Sequence, residues 1–102
     1  ATENEGPWTP LINLLCDEIN NALRRENFRD ASELQRMVLI ILDNLNAGNL
    51  RVDATKNSIL QEIANRLESM VLRHRALLPA VAERYNGYAV TVRRLMVTRN
   101  GT

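Results

Sequence analysis

The chain of 102 residues is one domain's worth of sequence, with 45% apolar and 25% charged residues, a balance that excludes wholesale disorder, a collagen-like repeat and a disulfide scaffold. Four glycines and three prolines weigh against a turn-rich all-β chain, and one Trp, two Tyr and one Phe leave the core to aliphatic side chains. The net charge of +1 is small, so charge alone announces neither a nucleic-acid binder nor an acidic substrate.

Ala1 to Pro7 is a polar lead-in and reads as the residual linker of a longer protein. Thr9 suits an N-cap and Pro10 the first helical position, where its missing N–H costs nothing. Leu11, Ile12, Leu15, Ile19, Ala22 and Leu23 then share one stripe at three-to-four spacing, which predicts an amphipathic helix ending near Glu26. Asn27-Phe28-Arg29 is the break. Asp30 with Glu33 three residues on resembles a capping box and opens the second helix. Its buried stripe is Ala31, Leu34, Met37, Val38, Ile41, Leu42 and Leu45, and Gly48 supplies a left-handed stop.

Asn49 to Val52 reads as a short connection and Asp53 as the cap of a third helix. Ile59, Leu60, Ile63, Leu67, Met70, Val71, His74, Leu77 and Leu78 keep the helical period until Pro79 forces a kink or a restart. Val81, Tyr85, Tyr88, Ala89, Val92, Leu95 and Met96 carry a last helix to about Thr98. Gly87 within it suggests a close approach of another helix. The expectation is an all-α fold: one compact bundle of four to five helices over residues 8–98, with 99–102 as a tail.

Candidate chemistry is sparse. His74 is the only imidazole, it sits between Arg73 and Arg75, and it has no carboxylate at helical spacing. No metal site is expected there, since zinc needs three or four such ligands. Cys16 is the single thiol, beside Asp17 and Glu18, whose charges oppose thiolate formation. It reads as buried filler, and a lone cysteine suits a reducing compartment, cytoplasmic or nuclear. No phosphate-binding loop, nucleophile elbow or dinucleotide fingerprint occurs. The expectation is a non-enzyme without a cofactor. No run approaches the roughly 20 apolar residues of a membrane span.

Two surfaces stand out. Residues 1–51 have a charge balance of −3 and residues 52–102 one of +4. If the last two helices pack antiparallel, part of the set Arg73, Arg75, Arg84, Arg93 and Arg94 would form a basic strip for RNA phosphates. Tyr85 and Tyr88 nearby read as core rather than as stacking platforms. Leu39 and Ile40 lie off the centre of the second helix's apolar stripe, beside Arg36 and Asp43. They are candidate contacts for a protein partner or for a second copy of the chain.

Three phrases carry a family likeness: Leu42-Asp43-Asn44-Leu45-Asn46-Ala47-Gly48-Asn49-Leu50, Ile59-Leu60-Gln61-Glu62-Ile63, and Tyr88-Ala89-Val90-Thr91-Val92-Arg93-Arg94-Leu95-Met96. In this order the chain resembles the C-terminal helical domain found in the steroid receptor RNA activator protein and in the large outer-coat subunit of the COPII vesicle coat. The likeness runs from Thr9 to Val97. The family's aromatic-Asp-Ala phrase is missing from Arg66 to Arg75, and a similar Phe28-Arg29-Asp30-Ala31 occurs earlier. The resemblance implies an all-α scaffold module without catalytic residues.

Overall fold

The computed structural model describes Gly6, residues 8–48 and residues 53–100, the last with side chains over 56–96. The expected linker (apart from Gly6), the connection Asn49 to Val52 and the final Gly101-Thr102 lie outside the described residues. The chain is all-α, with four helices: α1 (Trp8–Arg24), α2 (Phe28–Asn46), α3 (Asp53–His74) and α4 (Pro79–Asn100). No strand occurs among the described residues. Contacts divide the chain into two units, residues 1–52 and 53–102. Each unit is a pair of helices joined by a short turn.

In the first unit, α1 begins at Trp8, one residue before the expected cap. Pro10 stays in the first turn, where helical N–H groups lack partners anyway. The buried face of α1 is Trp8, Leu11, Leu15, Glu18 and Ala22. That corrects the expected stripe. Ile12 and Ile19 are half-buried and Leu23 is exposed. The helix is rotated so that Glu18 points inward, and this rotation carries Leu23 out.

The corner between α1 and α2 explains the rotation. Glu26 has a left-handed φ of 60°. Its N–H donates to the Leu23 carbonyl at 2.9 Å, and the Asn27 N–H donates to the Ala22 carbonyl at 2.8 Å. This is a Schellman ending with Glu in the position that usually holds Gly. Asn27 then caps α2, its side chain accepting from the Asp30 N–H at 3.1 Å. The cap is therefore Asn27, not Asp30, because Asp30 is drawn inward. Arg25 Nη1 lies 3.3 Å from Glu18 Oε2 and Nη2 lies 3.7 Å from Asp30 Oδ2, with both carboxylates fully buried. Arg25 stands seven residues, or two turns, beyond Glu18 and so shares its face.

The core side of α2 is Ala31, Leu34, Met37, Val38 and Ile41, as expected, but Leu42 is exposed and Leu45 half-buried. Gly48 has φ 77° and its N–H bonds the Leu45 carbonyl at 3.0 Å, so it is the left-handed stop. A Cβ there would meet no atom within 4 Å. The backbone angle alone calls for glycine.

In the second unit Leu60, Ile63, Ala64, Leu67 and Met70 of α3 are buried, with Val81, Ala82, Tyr85, Ala89 and Val92 of α4. The helices run antiparallel: Arg93 meets Glu68 and Asn65, while His74 meets Tyr85 near the turn. Asp53 is the first residue of α3 rather than a cap preceding it. The third helix stops at His74, so Leu77 and Leu78 do not extend its stripe. Pro79 restarts the chain as the first residue of α4, where its lack of an N–H is harmless. The last helix runs on to Asn100, two residues past the expected end and into the expected tail. Gly87 is exposed, and a Cβ on it would meet nothing within 4 Å. Among the described residues no helix approaches it closely, contrary to expectation.

Candidate interaction surfaces

The outer side of α2 carries the clearest unpartnered surface. Leu39 is 50% exposed, Leu42 38% and Phe28 64%. With exposed Ser32, Gln35 and Asn46 they follow an alternating four-three spacing, which keeps residues on one seam of a helix. At 100° per residue this seam sits about 120° round α2 from its buried side. Ile40 does not belong to it. Ile40 is half-buried, and its carbonyl accepts from Asn44 Nδ2 at 2.8 Å. Exposed Arg36 and Asp43 border the seam, and Arg29 pairs with Glu33 at 3.4 Å near its start. Sequence reasoning misses Phe28, which reads as part of the break, and Leu42, which reads as core. The heptad spacing through Leu39 was the available signal.

Of the five arginines, Arg93 stands apart from any strip with Arg84. Arg93 is half-buried and forks onto Glu68, with Nε 2.7 Å from Oε2 and Nη2 2.8 Å from Oε1. Its Nη2 also donates to Asn65 Oδ1 at 3.0 Å. The hydrogen bond from Arg93, aided by its charge and opposed by desolvation, holds the Glu68 carboxyl below its ordinary value. The same hydrogen bond raises the Arg93 guanidinium above its own. Nine residues separate Arg84 from Arg93, placing them about 180° apart around α4. Arg73 is half-buried, while Arg75, Arg84 and Arg94 are exposed. Arg73, Arg84 and Arg94 each engage other groups of the chain.

Tyr85 is fully buried, and its ring lies 6.3 Å from that of Tyr88, the two inclined at 42°. The half-buried His74 ring tilts against Tyr85 at 5.8 Å, a packed boundary position. Cys16 is exposed, which corrects its reading as buried filler. Among the described residues no three His, Cys, Asp or Glu side chains are grouped to hold a metal, and no helix is long and apolar enough to cross a membrane.

At the closed end of the second unit an open recess of about 480 Å³ is lined by Val71, Arg75, Pro79, Ala82, Glu83 and Asn86. Leu72, Leu77 and Leu78 are exposed around the same turn. The geometry defines a class: an all-α chain of two helical hairpins, with apolar surface on the outside of one and at the tip of the other. Compared with known proteins, the chain matches no family profile, no curated protein and no solved structure.

Proposed function

We propose that this chain is a non-catalytic protein-interaction module that receives a partner helix along the outer seam of α2. One observation carries the reading: Phe28, Leu39 and Leu42 are exposed at heptad spacing on a helix whose other side already supplies its core residues. Single exposed leucines are ordinary, whereas apolar residues recurring along one seam of a helix are the form in which a second helix is recognised. Its length suits a scaffold contact, the role implied by the resemblance to the vesicle-coat and coregulator domain. Arg36 and Asp43 on its border would set the partner's register through rim charges.

The test separates the seam from its neighbour. Leu39→Glu combined with Leu42→Glu is expected to keep the helical circular dichroism and lose partner binding. Ile40→Glu is expected to destabilise the fold instead, because Ile40 is half-buried. Sedimentation equilibrium of the unmodified chain reports whether the partner is a second copy. A seam variant that retains every association of the parent chain would overturn the reading.

A further inference from the structure

We infer that the closed end of the second hairpin is a contact site for an anionic lipid surface. The inference is independent of the α2 seam and rests on what crowds around the α3–α4 turn. Leu77 is 87% exposed, Leu72 66% and Leu78 41%. Leu77 is the most exposed of the large apolar side chains described. The turn is held by backbone hydrogen bonds. The Leu78 N–H donates to the His74 carbonyl at 2.8 Å, the Ala82 N–H to the Leu78 carbonyl at 3.0 Å, and His74 packs on Tyr85. Pro79 fixes the restart of α4. These contacts order the turn on which Leu77 and Leu78 are exposed.

Charge selects the occupant. Between Leu72 and Asn86 stand Arg73, Arg75 and Arg84 against a single acid, Glu83. Arg84 lies five residues into α4 from Pro79, about 7 Å along the axis. That matches the depth, roughly 5–10 Å, to which apolar groups enter the headgroup boundary of a bilayer. With Leu77 and Leu78 pressed into that boundary, the Arg84 position stands at about the level of the phosphates. A helical protein partner requires a stripe or a groove. Here the three exposed leucines lie within seven residues of sequence, two of them in the turn and outside any helix, so they form no helical stripe, an arrangement that a fluid lipid surface accommodates. RNA would use the arginines and leave the leucines without a role. The contact is superficial, as no described helix can cross a membrane.

The experiment is co-sedimentation of the full chain with phosphatidylcholine vesicles, with and without about one-third phosphatidylserine. Binding is expected to require the anionic lipid and to weaken with salt. Leu77→Asp is expected to reduce it by about fivefold or more while leaving the helical signal unchanged, because this side chain touches little of the fold. Arg75→Glu with Arg84→Glu is expected to reduce it more than about tenfold. Leu77→Trp, read against the buried Trp8 of the parent chain, should shift its emission to the blue on anionic vesicles and be quenched by brominated acyl chains. Failure of the parent chain to bind either vesicle overturns the inference. So does binding indifferent to Leu77→Asp, an unshifted emission from the introduced tryptophan, or retention on an RNA oligonucleotide without vesicle binding.

Discussion

The two hairpins close by opposite means. In the first, two carboxylates and a guanidinium are drawn inside the corner, and apolar side chains are left outside along α2. In the second, the interior around the turn is aromatic and aliphatic, and a two-point ion pair forks across the surface between the two helices. Buried charge demands a partner, so the first corner is intolerant of single changes and specific in geometry. A solvent-washed fork adds little net stability and serves register. The same residue types therefore do different work in the two units, according to how much water surrounds them.

The sharpest way to break the comparison is Arg25→Met. It would remove the guanidinium that pairs with both Glu18 and Asp30, and a loss of about 3 kcal/mol in urea unfolding is expected. Adding Glu18→Gln and Asp30→Asn should recover most of that loss, since buried charge without that guanidinium is the cause. If Arg25→Met alone is neutral, the corner is not held by its buried charges.

Next in size is Gly87→Ala. The structure leaves open space for a Cβ at this exposed helical position, so the change should raise stability by about 1 kcal/mol through helix propensity. A loss would mean that another helix does approach there. Glu26→Gly should stabilise by about 0.5 kcal/mol, because Glu at φ 60° occupies a conformation that glycine adopts without a Cβ clash.

The smallest effect is expected at the fork. The folded Glu68 carboxyl lies below the ordinary value of 4.5. Its contribution is therefore present above pH 4.5 and is lost as pH falls through the lowered folded value. Glu68→Gln should therefore lower stability slightly at neutral pH and leave it nearly unchanged in acid, so that the acid limb of the profile is flatter. Arg93→Glu with Arg94→Glu is a poorer probe of the basic surface, because Arg93 is engaged with Glu68.

The all-α class, the four helices and nearly the whole apolar face of α3 and α4 are legible from period alone. Gly48 is legible too, since a glycine at the end of an apolar stripe needs only the left-handed angle that it adopts freely. The inward turn of Glu18 and Asp30 is not legible. Apolar periodicity treats any carboxylate as an outward residue, and Arg25, the cation that draws both inward, lies beyond the end of α1. That misreading propagates: period alone gives α1 a core through Ile12, Ile19 and Leu23, which the structure moves toward solvent. Leu77 and Leu78 are misplaced for a related reason. They continue the period of α3 in sequence, but the helix ends at His74 before reaching them. Of the candidate surface, Leu39 is visible as an apolar residue off the core stripe. Its companions Phe28 and Leu42 need the helix start and the helix rotation, both set by the Asn27 cap and the buried corner.

The most direct test of the account is site-specific photo-crosslinking from position 39, with Asn13 on the polar side of α1 as the control. The account predicts a discrete protein adduct from position 39, none from position 13, and loss of the adduct when Leu42→Glu is added to a chain that remains helical. Equal adducts from both positions, or an adduct that survives Leu42→Glu, would contradict the claim that the outer seam of α2 is where this protein meets its partner.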